Sequence, residues 1–332
     1  MSVDIGTRVK EVNLPIPQQK TYDDIIFPLI LTPSSDDDFK THGETLEWLR
    51  NQMSAIKENL LKHGAILFRG FSVKEAEDFD KFVKAFNYES LPYVGGAAPR
   101  TLVTGNVFTS NESPPDSLIP FHHEMAQVPT YPSVLFFYCD TEPGKDGQTP
   151  LVPSNMVYRR MVEECPDFVN ELEQKGVVYS RVLSDGDDPT SPIGRGWQST
   201  YGTTDRTSAE KSARELVASV EWLPDGCMRT KTEILPAIRE DTRTGKKTWF
   251  NSIIAVYRGW KDSRNSPETS ITFGDGSPMP PAVMDKLEQI LNDLAVDFSW
   301  TKGDVVVVDN RQVLHGRRTF TPPRRILASL CK

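Results

Sequence analysis

Leu49, Met53, Ile56 and Leu60 recur at three- and four-residue steps and therefore share one face, which predicts a helix that Gly64 terminates. Ala65 to Phe68 then reads as a buried strand, and Ala76, Phe79, Phe82 and Val83 restore helical spacing within Val73 to Phe86. Loop-forming Gly95-Gly96 and the NESPP segment at 111–115 interrupt the chain between Tyr93 and Pro132. Val134 to Tyr138 is apolar throughout, as expected of a strand covered on both faces. Ser154 is positioned to cap a helix over Met156 to Cys165 that Pro166 limits, and further helices are predicted from Ser208 to about Ser219 and from Pro281 to about Leu294. Lys247 to Ile254 reads as a strand after the turn at Arg243-Thr244-Gly245. Val296 to Trp300 and Asp304 to Asp309 read as a hairpin around Lys302-Gly303. Residues 14–41, rich in Pro, Ser and Asp, are expected to wrap the surface, within a single domain spanning 1–332. No repeat, low-complexity tract or long linker divides the chain.

Composition narrows the functional classes. The 332 residues include 38% hydrophobic and 25% charged residues, which suits a folded core rather than disorder. A formal charge of −8 argues against a surface that tracks nucleic-acid phosphates, whose affinity comes from Lys and Arg replacing condensed counterions. The longest strongly apolar runs, such as Val134 to Cys139 and Val305 to Val308, fall far short of the roughly 20 residues that cross a bilayer. The opening MSVDIGTRVKEV lacks an apolar signal core, and Asp4 and Glu11 are unlike a transit peptide, so a cytoplasmic location is expected. Cys139, Cys165, Cys227 and Cys331 are scattered without a Cys-x-x-Cys pair and read as free thiols.

The chemistry concentrates in Pro120-Phe121-His122-His123-Glu124-Met125. In extended backbone, side chains two apart point to the same side, so His122 and Glu124 can converge while His123 points away. A distant His completing such a pair would occupy one face of an octahedron and leave open positions for reactants. The candidate is His315, at the end of the apolar run Val305 to Val308 and its turn, followed by Gly316, Arg317 and Arg318. His42 precedes a helix and His63 ends one, so both have ordinary structural explanations. A His-x-Glu triplet alone is commonplace on solvated surfaces. Its weight here comes from the set of His122, Glu124, His315 and a downstream Arg beside the apolar Ile326-Leu327-Ala328.

These residues, with LPYVGGAAPR at 91–100, NESPPD at 111–116, PFHHEMAQ at 120–127, SPIGRGW at 191–197, TFGDG at 272–276 and PPRRILASLCK at 322–332, carry a family resemblance. The chain resembles the taurine dioxygenase and clavaminate synthase-like family of iron- and 2-oxoglutarate-dependent oxygenases, and most of all its plant clavaminate synthase-like members. The resemblance implies a mainly β fold with flanking helices, a double-stranded β-helix or jelly roll. It implies that His122, Glu124 and His315 bind Fe(II), that Thr149 contacts the 2-oxoglutarate cosubstrate, and that Arg325 clamps its distal carboxylate. Arg provides a planar charged fork that matches a carboxylate. Alternation lets only one of Arg324 and Arg325 face the interior, and the family's Arg-Arg-apolar pattern selects Arg325.

The implied reaction consumes O2 and 2-oxoglutarate, releases succinate and CO2, and oxidises a C–H bond of a small polar metabolite, with hydroxylation the default. Taurine-type members carry a second Arg four residues after the cosubstrate Arg, where this chain, counted from Arg325, has Ser329, so taurine is disfavoured. Asn111, Arg195, Trp197 and Gln198 lie in segments that either line a substrate pocket or serve packing, and Arg195 or Arg318 could supply a compensating charge. Two His and a carboxylate also suit a zinc hydrolase, although the HExxH helix is missing and the clamp Arg would be left unexplained. A catalytically silent jelly-roll binding protein is the other alternative. Oxygen consumption and succinate release separate all three.

Overall fold

The computed structural model describes residues 3–91, 100–110, 113–191 and 193–332. Its centre is an eight-stranded sheet in the order Val9–Glu11, Leu29–Pro33, Ala65–Phe68, Val305–Asp309, Val134–Thr141, Arg325–Cys331, Val107–Thr109, Leu102–Thr104. A three-stranded sheet, Leu151–Pro153, Val313–Arg317, Ile119–His122, faces it. Val134–Thr141, Val305–Asp309 and Arg325–Cys331 carry almost unbroken apolar sequence because both their faces are covered. Alternate residues divide between two cores. Phe136, Tyr138, Val305, Val307 and Leu327 pack with Leu49, Ile56, Leu60, Phe79 and Phe82 of the helical layer. Leu135, Phe137, Val306, Val308, Ile326, Ala328 and Leu330 pack instead with Leu151, Val313, Phe298 and Trp300 in the space between the sheets.

The predicted helices form where side-chain periodicity and end signals agree. His42–His63 starts at a capping box between Thr41 and Glu44 and stops at Gly64, whose φ of 72° favours a residue without Cβ. Ala76–Ala85 packs on the same side of the large sheet. Ser154–Glu164, Pro166–Lys175 and Pro281–Leu294 cover the far side of the three-stranded sheet, where Val157, Leu172 and Leu287 meet Val152, Phe121 and Leu314. A four-stranded sheet, Ser219–Trp222, Met228–Lys231, Val177–Leu183, Ile271–Phe273, lies beyond.

Four sequence expectations differ from the fold. Leu29, Ile30 and Leu31 do not wrap the surface: they are buried in a strand parallel to Ala65–Phe68, because Phe27-to-Leu31 is itself a continuous apolar run. Val296–Trp300 does not pair with Val305–Asp309. Val296 bridges Leu151, while Val305–Asp309 lies between Ala65–Phe68 and Val134–Thr141, which take both of its hydrogen-bonding edges. The strand after the Arg243 turn ends at Thr248, and Ile253–Gly259 is helical. Arg206–Arg214 begins two residues before Ser208, at an Asp205 cap that accepts from the Ser208 N–H.

Candidate metal and cosubstrate site

His122 and His315 are direct cross-strand partners in the small sheet. Their neighbours define the direction in which they point: Phe121 and Leu314 belong to the outer core, so the alternate residues His122 and His315 project between the sheets. The ring centroids lie 4.3 Å apart, and Phe137 from the large sheet lies 5.3 Å from the His315 ring. Glu124 follows the end of the Ile119–His122 strand, and Asn310 fixes its backbone. Asn310 Oδ1 accepts from Glu124 N at 2.8 Å, and its Nδ2 donates to Glu124 O at 3.0 Å and Pro132 O at 2.7 Å. Asn310 is fully buried, so these bonds form without competition from water.

One ligand atom from each of His122, Glu124 and His315 lies within 4.8 Å of the other two. Glu124 Oε2 is 3.8 Å from His122 Nε2 and 3.5 Å from His315 Nε2, distances long for direct hydrogen bonds. His122 Nδ1 lies 2.9 Å from Pro120 O, which assigns the proton to Nδ1 and leaves the Nε2 lone pair pointing inward. Burial, followed by the neighbouring His122, pushes the His315 imidazole down to about 4, so it stands in the neutral form that binds metals. Burial alone would raise the Glu124 carboxyl, but the Arg100 guanidinium and the two imidazoles hold it well below the usual carboxylate range. Two imidazoles and a carboxylate converging on one point fit a divalent first-row metal.

His123 behaves as its phase requires. It is fully buried, its Nδ1 meets Asn310 O and its Nε2 is 2.8 Å from Ser154 Oγ. That bond engages the Ser154 hydroxyl expected to cap the following helix, and Ser154 is instead that helix's first residue.

The site opens on a cavity of about 310 Å³, lined on one side by His122, Glu124, His315, Thr149 and Arg324. Here the predicted carboxylate clamp requires correction. Arg325 lies outside, about half exposed, with Nη1 2.8 Å from Asp140 Oδ2. Ile326, Ala328 and Leu330 face the inter-sheet core, so the in-phase residue is Arg324. Arg324 Nε donates to Gly147 O at 2.8 Å and Nη2 to Thr149 Oγ1 at 3.3 Å. Gly147 has φ 72°, and a Cβ there would stand 3.0 Å from Arg324 Cδ and 2.9 Å from Phe320 Cβ, so only glycine lets the guanidinium pass. Burial, followed by the nearby Arg317, lowers Arg324 to about 9, the signature of a cation held in a dry place beside another cation. Thr149 Oγ1 also accepts from Trp300 Nε1 at 3.2 Å, leaving its own proton to donate to a ligand. The same phase shift relocates the taurine comparison: four residues after Arg324 stands Ala328, whereas Ser329 lies on the opposite face of the strand.

Arg317, Arg100 and Asn310 went unrecognised in the sequence. Alternation from His315 would have placed Arg317 on the same face. Buried at 4% exposure, it donates to Ser113 O at 2.9 Å, to Pro114 O at 2.7 Å and to Ser117 O, thereby holding part of the 113–118 cavity wall. No local pattern marks Arg100 or Asn310. Arg195, Trp197 and Gln198 do not line the cavity: Arg195 donates to Ser199 O, Trp197 packs edge-on against Trp222, and Gln198 meets Asp185 and Gly186 N. Arg318 pairs with Asp297, and Asn111 lies outside the described residues.

Residues 32–331 match the family model described as Taurine catabolism dioxygenase TauD, TfdA family. A clavaminate synthase-like protein of Arabidopsis thaliana is 49% identical over 327 residues, covering 97% of this chain and 98% of that protein. The dapdiamide synthesis protein DdaC of Enterobacter agglomerans is 30% identical over 287 residues, covering 83% of this chain and 84% of its own. Among solved structures, PvcB of Pseudomonas aeruginosa superposes with a TM-score of 0.54 at 16% identity, covering 100% of this chain and 94% of that one, which shows a shared fold.

Proposed function

Because the chain belongs to the TauD and TfdA dioxygenase family, we propose that His122, Glu124 and His315 hold the Fe(II) of a 2-oxoglutarate-dependent oxygenase, with Arg324 and Thr149 receiving the cosubstrate. The protein is a dioxygenase, and its use of Fe(II), 2-oxoglutarate and O2 belongs to the same proposal. We read its two facing sheets as the double-stranded β-helix of a single oxygenase domain. The observation that carries the site assignment is the convergence of the three ligands in the same cavity as a buried, permanently charged Arg324.

Each side chain has a definable task. His122 and His315 offer ring nitrogens and Glu124 a charge that offsets part of the metal's, while Asn310 fixes the Glu124 backbone. Arg324 and the Thr149 hydroxyl receive the distal carboxylate, which positions the keto-acid end toward the ligands. Phe137 keeps one wall apolar, and Arg317 holds part of another by anchoring the 113–117 segment. When bound, the iron and cosubstrate supply the oxidising power, and the protein supplies orientation and exclusion of water.

The primary substrate is proposed to be a small polar metabolite whose C–H bond is hydroxylated, with succinate and CO2 released. The cavity volume accommodates 2-oxoglutarate with a compact partner, which supports a small substrate. Ala328 supplies no guanidinium for a sulfonate, which disfavours taurine. The test is to screen metabolite fractions for stimulated succinate release and O2 consumption by iron-loaded protein. Absence of succinate under every condition, uncoupled turnover included, would contradict the proposed activity.

A further inference from the structure

The Glu124 carboxylate has a cationic partner in Arg100. Arg100 Nη2 lies 3.0 Å from Oε1 and 3.1 Å from Oε2, so one guanidinium nitrogen donates to both oxygens. The two side chains are 7% and 5% exposed, which makes this a desolvated ion pair rather than a surface contact. The oxygen that faces both imidazoles is Oε2, at 3.8 Å from His122 Nε2 and 3.5 Å from His315 Nε2, and it is one of the two that Arg100 engages. A metal entering between the imidazoles needs that same oxygen. It also brings two positive charges close to a guanidinium that remains charged at any working pH.

We infer that Arg100 is a positioning residue that competes with the metal for Glu124: it neutralises and orients the carboxylate, and a metal held between the imidazoles draws Oε2 away from it. The inference rests on the metal reading of the triad. Without the guanidinium, Glu124 would be a buried anion facing two imidazoles, an arrangement prone to capture any competing cation or to distort the site. With it, the carboxylate is held in place, and metal affinity is set by the difference between two cations rather than by attraction alone. Arg100 also lines the cavity, so a guanidinium released from Oε2 stays within the pocket instead of crossing the protein.

This role carries a sign that ordinary structural support does not. A residue that merely braced the site would, when removed, weaken metal binding. A competitor, when removed, strengthens it while destabilising the metal-free protein. The experiment is calorimetric titration of Co(II), as an air-stable probe, into full-length wild-type, R100Q and R100K proteins, paired with thermal melts with and without Co(II). R100Q should bind Co(II) about tenfold more tightly or better, on the scale of one displaced buried charge contact. It should also melt lower than wild type without metal, and gain more on metal addition. R100K, which restores the cation, should bind Co(II) close to wild type. H315A serves as the control for the triad itself. If wild-type and H315A proteins bind Co(II) alike, the metal reading fails. If H315A loses Co(II) while R100Q binds it equally or more weakly than wild type, the triad stands and the competition is refuted. Should R100Q not fold, R100K and R100M read the same comparison.

Discussion

Replacing Arg324 tests the reassigned carboxylate clamp, because the adjacent Arg325 provides an internal control differing only in the direction it faces. Arg324 is buried and lines the cavity, and its bonds to Gly147 O and Thr149 Oγ1 join it to neutral acceptors rather than to a carboxylate. Its charge is therefore poorly compensated by the protein itself, as its lowering to about 9 by burial and by Arg317 indicates. Truncating one partner of a buried, hydrogen-bonded charge pair costs on the order of 2–5 kcal/mol, so R324A should weaken 2-oxoglutarate binding by roughly 30-fold or more. Arg325 pairs with Asp140 at the surface, where such contacts contribute about 0–1 kcal/mol and none of it reaches the cavity. R325A should leave 2-oxoglutarate affinity essentially unchanged. Removing an uncompensated buried cation should also leave the ligand-free melting temperature of R324A equal to or above that of wild type, while abolishing most of the stabilisation that 2-oxoglutarate confers. Calorimetric titration of 2-oxoglutarate into the Co(II)-loaded proteins, with melts in parallel, measures both. A larger affinity loss in R325A than in R324A would refute the strand phase from which the clamp is argued.

Other expectations follow from the same geometry. Alanine at His122, Glu124 or His315 should sharply reduce bound iron measured by elemental analysis, whereas H123A should retain most of it despite lower thermal stability, since His123 bonds Asn310 O and Ser154 Oγ and not the metal face. N310A removes three buried hydrogen bonds around Glu124 and Pro132, so chemical denaturation should reveal a loss of about 2–4 kcal/mol, with iron affinity reduced even in folded protein. Burial lowers the His63 pKa, so the unfolded chain takes up its proton more readily and stability should fall as pH drops below the ordinary histidine value. A folded H63F variant should show a shallower decline in melting temperature from pH 7 to 5. Iron-loaded enzyme offered taurine should give no coupled product, and efficient taurine oxidation would mean that a cation from another segment receives the sulfonate that Ala328 cannot.

Much of the site was legible locally. The phase of His122 against His123 is a property of two-residue alternation and needs no tertiary information, and the scarcity of histidine pointed to His315. The long helices were equally visible because their apolar stripes, Gly64 stop and Pro281 start all lie within a few turns of each other. The same alternation could not choose between Arg324 and Arg325. Ile326 to Cys331 is buried on both faces, so no polar and apolar contrast remains to set the strand's phase. Only the packing of Ile326 and Ala328 against the small sheet, and of Leu327 against the helices, settles which arginine enters the cavity. Likewise, the apolar run at Val305–Asp309 announced a strand but not its neighbours, since Phe68 and Tyr138 reach Val305 across 237 and 167 residues of chain. Local sequence determined what each segment would become and which side chains could act together. Long-range pairing decided which faces met, and with them the entry of Arg324 into the cavity, the Asn310 brace and the Arg100–Glu124 pair, because those depend on register between segments that carry no record of one another's position.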